Sequence, residues 1–244
     1  MKKLLAVSIC SIGMLCLFAG NARAGLFTSG HGDIGVAYEG GELELHWHVA
    51  SDAIVDGMAA GGGADGMEFE APDLRVQVNG ITMARPAGAA WDPVGNAAGE
   101  AIWFLPQTET VADAQGKPYL GLAAEEGITA GDWTGFTWEI TSLSGPGQFS
   151  LWQDGVTTPN FFASSVDGLP DAFAGPLGGE DHFNFGFTAL GTYDVGFRVS
   201  GTHDTDGFKS HSATFRFEAV PEPSSLAVLA TLGIAGTFVR RRRS

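Results

Sequence analysis

The stretch that decides the fold is Glu42–Val49, which reads ELELHWHV. Apolar residues recur at every second position, and charged or imidazole side chains lie between them. Successive side chains of a β-strand point to opposite faces of a sheet, so this pattern predicts a strand with one face in a core. The predicted core face consists of Leu43, Leu45, Trp47 and Val49. The predicted polar face consists of Glu42, Glu44, His46 and His48.

Similar patterns recur towards both ends of the chain. Further strands are predicted at Arg75–Val78, Ala101–Leu105, Thr134–Ser142, Gln148–Gln153, Phe183–Phe187, Thr192–Ser200 and Ser212–Ala219. Gly-Pro and Asp-Gly breaks separate them, and between the two ends no apolar helical pattern persists over three turns. Residues 25–219 are therefore expected to form a single all-β domain, a β-sandwich of the Ig-like or jelly-roll-like type. Phe183, Phe185 and Phe187 are expected in its core.

Three segments between these strands carry weaker patterns. Asn79-Gly80, directly after Arg75–Val78, predicts a tight turn. Ala50–Gly66 and Asn160–Gly179 are predicted to be long connections. The six Trp and seventeen Phe among 244 residues exclude a disordered domain, because that much aromatic surface requires burial.

The first 24 residues have the layout of a secretory signal peptide. Lys2 and Lys3 precede the apolar run Leu4–Phe18, and Ala22-Arg23-Ala24 is a small-x-small cleavage site. Cleavage is expected between Ala24 and Gly25; the alternative is a retained membrane anchor. The two cysteines of the chain lie inside this segment, so the mature protein is expected to have no disulfide, thiol nucleophile or thiolate metal site.

Residues 220–244 carry a second targeting signal. Pro221, Glu222 and Pro223 precede the apolar segment 224–239, which is just long enough to span a membrane when flanking arginines extend to the interface. The segment is followed by Arg240, Arg241, Arg242 and Arg243, which are expected to stay on the cytoplasmic side. The alternative is an ordinary tail anchor.

This order of Pro-Glu-Pro, short apolar helix and arginine cluster resembles the PEP-CTERM sorting signal of Gram-negative bacteria. The resemblance implies one partner, a membrane protease of the exosortase type that cuts near Pro221–Pro223. It also implies a precursor held in the inner membrane by its C-terminal helix, and a product at the cell envelope or outer surface.

The exported domain is strongly acidic. Residues 25–220 contain 6 Lys and Arg against 27 Asp and Glu, a net charge of −21. Such a surface repels phosphate backbones, so the charge argues against a nucleic-acid partner and favours attraction of cations.

Five blocks of the exported domain form a further pattern: Ser29–Tyr38, Leu43–His46, Ile102–Gln107, Tyr119–Gly121 and Asp181–Tyr193. Together these blocks, which span roughly residues 28–218, resemble the surface-anchored bacterial domain called choice-of-anchor M. Repeats of that family also occur beside metal-type transport systems. The family has His-x-His-x-Asn in the last block, and this chain has Glu180 at the first of those positions, followed by His182 and Asn184.

The candidate metal ligands are His31, His46, His48, Glu180 and His182, with Asp33 as a further candidate. His46 and His48 project from the same strand face about 6.5–7 Å apart, and Glu180 and His182 do likewise. Imidazole and carboxylate ligands suit Zn²⁺ or another borderline divalent cation, whose affinity should fall as the imidazoles protonate near pH 6.5. The alternative is that these side chains are polar residues of a solvated sheet.

Other functional patterns are weaker. His203–Gly207 resembles the start of a calcium loop but lacks its closing Glu, so a hairpin tip is predicted, with His211 exposed beyond it. Residues 25–219 contain no Gly-x-Ser-x-Gly motif and no cysteine, so nothing in them supports nucleophilic catalysis. A non-enzymatic envelope protein is therefore expected. An extracellular hydrolase or carbohydrate-binding module is the alternative, with a sugar platform drawn from Trp91, Trp103, Trp133, Trp138 and Trp152.

Overall fold

The structure, a computed structural model, describes residues 23–79, 82–155, 158–169 and 171–221. Strands account for 58% of it, which confirms the predicted all-β class. The helical elements within these ranges are α1 (Glu109–Gln115) and short 3-10 turns at Gly63–Asp65, Ala71–Asp73, Ala89–Val94 and Ala130–Asp132. The strands are β1 (Gly25–Glu39), β2 (Glu42–Val49), β3 (Ile54–Val55), β4 (Met58–Ala59), β5 (Met67–Glu70), β6 (Leu74–Asn79), β7 (Thr82–Ala84), β8 (Ala101–Leu105), β9 (Pro118–Ala124), β10 (Trp133–Ser144), β11 (Phe149–Gln153), β12 (Asn160–Ser164), β13 (Ala172–Gly175), β14 (Gly179–His182), β15 (Asn184–Phe187), β16 (Gly191–His203) and β17 (Gly207–Val220).

These strands form two sheets. The smaller sheet has the order β12-β11-β15-β8-β7. The main path of the larger sheet is β13-β10-β16-β17-β6-β1-β2-β5. Strand β9 pairs with β1 and with β14, and β3 pairs with β1 and with β4. The larger sheet is mixed, because β1 runs parallel to β6 and β9, and β6 runs parallel to β17.

One aromatic core joins the two sheets. Phe217 of β17 lies 5.3 Å from Phe187 and 6.0 Å from Phe185 between ring centroids, so it contacts the smaller sheet directly. On the other side Phe217 meets Trp47 of β2 at 5.7 Å. Leu43, Leu45, Trp47, Phe183, Phe185 and Phe187 are all buried in this core, which confirms them as core residues.

Strand β1 changes partners at Gly30. Residues 25–29 pair with β6 and β3, whereas residues 30–39 pair with β9 and β2. Gly30 has φ +98°, and a Cβ there would lie 2.7 Å from Ala53 Cα, so the crossing point requires glycine. The crossing places His31 and Asp33 between β2 and β9.

Several local predictions differ from the structure. Strand β6 ends at Asn79 and the next strand, β7, belongs to the other sheet, whereas the predicted tight turn at Asn79-Gly80 involves residues 80–81, which lie outside the described ranges. The predicted connection Ala50–Gly66 contains β3 and β4, and Asn160–Gly179 contains β12 and β13. Most of these strands have only two to four residues, too few for an alternating pattern to be recognised.

The two predicted targeting signals, residues 1–24 and 220–244, lie mostly outside the described ranges. Strand β1 begins at Gly25, the residue after the predicted cleavage point, and β17 ends at Val220, just before Pro221. Within residues 23–221 as described, no helix is long and apolar enough to cross a membrane. The predicted signal peptide (1–24, described only at residues 23–24) and the predicted membrane helix (224–239) are not covered by that search.

Candidate metal centre

Three neighbouring strands bring the best-supported site together. Asp33 of β1 lies opposite Gly121 of β9, and Gly121 lies opposite His182 of β14. Period-two alternation then puts His31 beside Asp33, and Glu180 beside His182, on the face of the sheet that points away from the core. The next β1 residue after Asp33, Ile34, points to the opposite face and is fully buried in the core.

The donor atoms of His31, Asp33, Glu180 and His182 all lie within 4.8 Å of one another. His31 Nε2 is 3.0 Å from His182 Nε2, 3.3 Å from Asp33 Oδ2 and 3.5 Å from Glu180 Oε2. Asp33 Oδ1 is 3.9 Å from His182 Nε2. A tetrahedral ion bound at about 2.0–2.1 Å needs ligand separations of about 3.4 Å, so the four side chains have nearly the spacing of a zinc site.

Gly121 provides the space for this cluster. A Cβ at residue 121 would lie 2.3 Å from Asp33 Oδ1 and 3.2 Å from His182 Cδ2. A glycine inside a strand weakens the strand, and it commonly marks a place where another group approaches closely. Here the approaching groups are the Asp33 carboxylate and the His182 ring.

The electrostatics of the cluster are unfavourable without a cation. The Asp33 side chain is only 4% exposed, and among the described residues its Oδ1 has no hydrogen-bond partner. Burial, followed by the nearby Glu180 and Glu125 carboxylates, raises the pKa of Asp33 well above its usual range. Two carboxylates held this close repel each other unless a proton or a metal ion lies between them.

His182 is prepared to act as a neutral ligand. Burial lowers the pKa of His182 to about 4; Glu180 opposes this effect and His31 adds to it. The ring stacks on Tyr119 at 3.8 Å between centroids and 4° between planes, and Gln153 donates a hydrogen bond to the His182 carbonyl at 2.8 Å. A neutral imidazole is the form that binds metals, so His182 need not lose a proton at neutral pH.

His48 does not share this cluster. Its Nδ1 pairs with Glu125 Oε2 at 3.1 Å, and its Nε2 contacts the Asp65 carbonyl, so both ring nitrogens are already engaged. The Glu125 interaction is the main cause that raises the pKa of His48 to about 9, against the opposing effect of burial. His48 is therefore a cation beside the cluster at neutral pH.

His46 lies elsewhere on the same face. Its Nε2 groups with Glu68 and Glu126 and not with His182. The predicted set of five ligands is thus divided: His31, Glu180 and His182 come together with Asp33, whereas His46 and His48 each have acidic partners of their own. The sequence predicted that His46 and His48 share a strand face, but not which neighbours each one meets.

Two other predictions concern histidines near the chain end. His203–Gly207 closes the β16–β17 hairpin, as predicted. His211 was predicted to be exposed, and this is wrong: it is half-buried, and its Nδ1 accepts a hydrogen bond from the Leu45 amide at 2.8 Å. His211 therefore stabilises the contact between β17 and β2.

The tryptophans pack mainly inside the protein. Trp133, Trp138 and Trp152 are at most 5% exposed. Trp91 and Trp103 are half-buried, and Trp91 packs edge-on against Trp152 at 6.1 Å. Stacking on a sugar requires exposed rings, so this arrangement gives no support to a carbohydrate platform.

Sequence reasoning missed several residues around the cluster. Glu125, Glu68 and Glu126 lie just outside or inside short strands and have no distinctive spacing. Gly121 did carry a usable signal, because it interrupts the apolar strand 118–124 where a side chain would be expected. Tyr119 and Gly121 belong to a block of the family resemblance, and the sequence did not predict their contact with the cluster.

Comparison with known proteins identifies the C-terminal signal. Residues 219–243 match the family described as the PEP-CTERM protein-sorting motif. The match confirms this signal, indicates an exported, cell-surface-directed protein and implies processing by an exosortase membrane enzyme. Neither the curated proteins nor the solved structures gave a match. The resemblance of residues 28–218 to choice-of-anchor M gains no support and stays a prediction.

The His48–Glu125 pair gives a testable pH dependence. In the metal-free protein we expect His48 to titrate at about 9, and Glu125→Gln to return its pKa towards about 6.5. Because the folded-state pKa is raised, the stabilisation is fully present below about pH 6.5 and is lost as the pH rises through about 9. NMR titration of the imidazole and unfolding at several pH values measure both effects; a wild-type His48 that titrates near 6.5 would contradict the assignment.

Proposed function

We propose that the protein is a non-enzymatic, envelope-displayed β-domain that binds a divalent transition-metal ion through His31, Asp33, Glu180 and His182. Zn²⁺ is the ion that best suits two imidazoles and two carboxylates without a thiolate. The displayed domain, residues 25–219, is proposed to be a β-sandwich of the Ig-like or jelly-roll-like type. Its mixed larger sheet distinguishes it from a purely antiparallel member of either type.

One observation carries the metal proposal: four donor atoms from β1 and β14 lie within 4.8 Å of one another. Two imidazoles and two carboxylates are thereby held at nearly the spacing of a four-ligand zinc site. The buried Asp33 carboxylate adds support, because its Oδ1 has no hydrogen-bond partner among the described residues and a cation would compensate for its burial. The domain's acidic surface would also concentrate cations around the site.

The sorting signal supports a route by which this domain would reach the cell surface. We propose that the precursor belongs to a Gram-negative bacterium and is held in the inner membrane by residues 224–239, with Arg240–Arg243 in the cytoplasm. An exosortase would then act near Pro221–Pro223 and pass the domain to the envelope. The match to residues 219–243 supports this route.

Thermal unfolding in the presence of zinc tests the function. For the exported protein recovered from its host and stripped of metal, zinc at about 100 times its dissociation constant should stabilise the fold by about 2.7 kcal/mol. For a domain of this size, that corresponds to a rise in melting temperature of about 5–10 °C. His31→Ala and His182→Ala should each remove most of the rise.

His203→Ala is the matched control, because His203 lies at the β16–β17 hairpin and outside the cluster. It should keep the full response to zinc. A wild-type protein whose melting temperature does not respond to zinc, manganese or nickel would rule the metal function out.

A further inference from the structure

An acidic cavity, separate from the candidate metal centre, opens on the same face of the larger sheet. Its volume is about 570 Å³, and its lining includes Glu44, His46, Glu68, Glu70 and Glu126. It lies at the β2–β5 side, where His46 pairs in register with Glu70 of β5 and with Gly35 of β1. The candidate metal centre lies at the β14 side of the same face, so the cavity and the candidate metal centre are lined by different side chains.

His46 is the unusual residue of this cavity. It is only 9% exposed, and among the described residues its Nε2 has no hydrogen-bond partner. A buried ring nitrogen without a hydrogen-bond partner destabilises the fold unless some group or ion compensates for it. The candidate ligand atoms near His46 Nε2 are carboxylate oxygens. Glu68 Oε1 lies 4.0 Å from it, and the donor atoms of His46, Glu68 and Glu126 lie within 4.8 Å of one another.

Gly35 creates the space beside His46. A Cβ at residue 35 would lie 2.8 Å from His46 Nε2 and 2.7 Å from Glu125 Cγ. Strand β1 therefore has no side chain at the point where the imidazole faces it. Gly121 of β9 does the same for Asp33 in the first cluster. Each of the two polar clusters thus has a strand glycine that leaves space for a buried donor.

We propose that His46, Glu68 and Glu126 form a second, separate site for a divalent transition-metal ion. One imidazole and two carboxylates suit Zn²⁺ or Mn²⁺, and the imidazole disfavours Ca²⁺ and Mg²⁺, which prefer oxygen ligands. Three protein ligands leave further coordination positions to water. Because Glu68 and Glu126 are exposed, they must be ordered on binding, and this site binds more weakly than the first.

This proposal goes beyond the proposed function and does not depend on it. The test is the number of zinc equivalents bound by the exported protein, measured by calorimetry and by elemental analysis after dialysis against zinc. Wild type should bind two equivalents with different affinities. His46→Ala should lose the weaker equivalent and keep the tighter one, and Gly35→Ala should do the same by filling the space beside Nε2.

Glu68→Gln provides a variant at an exposed position, where loss of folding is not expected, and it should also lose the weaker equivalent. Asp33→Asn is the reciprocal control, since it should lose the tighter equivalent alone. A weaker equivalent that is unchanged in both His46→Ala and Glu68→Gln, or a single wild-type equivalent that both variants keep, would overturn the second site. If folded Glu68→Gln lost both zinc equivalents, the second site would not be independent of the first. The first site is judged separately by Asp33→Asn.

Discussion

Replacing Asp33 by asparagine should raise the melting temperature of the metal-free protein and remove most of its stabilisation by zinc. Asparagine has nearly the same shape, but it removes one of two facing carboxylates, and its amide can donate a hydrogen bond to Glu180. Relief of the burial and carboxylate repulsion that raise the pKa of Asp33 should stabilise the metal-free fold by about 1–3 kcal/mol. Loss of a direct ligand should weaken zinc binding at least about a hundred-fold, since even indirect partners of a ligand contribute 10–100-fold.

The opposite signs of these two effects make the experiment informative. If Asp33 had only a structural role, its replacement would not be expected both to raise the melting temperature of the metal-free protein and to reduce the stabilisation by zinc. Asp181→Asn is the matched control: it removes the same charge from an exposed position of β14 and should change neither quantity by much. If Asp33→Asn lowers the metal-free melting temperature and keeps the zinc response, Asp33 is a structural residue and the proposed site is wrong.

The second large effect is expected at Trp47. This side chain is fully buried, with Phe215 at 4.8 Å and Phe217 at 5.7 Å between ring centroids, and its Nε1 donates to the Ala71 carbonyl at 3.3 Å. Trp47→Ala removes these contacts and leaves a cavity in the aromatic core, so the free energy of unfolding should fall by about 3–5 kcal/mol. Chemical denaturation measures the change.

Glu44→Ala on the same strand is the control. Glu44 is exposed, so its replacement should change the free energy of unfolding by less than about 0.5 kcal/mol. Equal effects of the two variants would mean that the face of β2 assigned to the core is incorrect.

The faces of individual strands were predictable from sequence. Alternation in Glu42–Val49 correctly placed Leu43, Leu45 and Trp47 in the core, because burial of every second side chain is a local property of a strand. The same rule correctly put Glu180 and His182 on one face. It failed for β3 and β4, whose two residues each are too short to show a period.

The neighbours of each strand were not predictable in this way. His31 and His182 are 151 residues apart, and they meet because β1 and β14 both pair with β9. No local pattern determines which distant strands pair, because pairing depends on the packing of the whole sheet. His46 and His48 show the consequence: two residues of separation along β2 is enough to place one opposite Gly35 and the other opposite Asp33.

Strand β17 determines how a tethered domain would bear mechanical load. The sorting match begins at residue 219, inside β17, so the last strand of the domain overlaps the start of the sorting motif. A pull on the precursor through its proposed membrane helix would therefore act on the C-terminal end of β17, which is bonded to β16 over Gly207–Ala219 and to β6 over Arg216–Val220. Ladder hydrogen bonds in an antiparallel pair run across the strands, so such a force shears many of them together instead of opening them one by one. In a precursor still attached to the membrane, the hydrogen bonds of β17 to both neighbouring strands would therefore resist such a pull together.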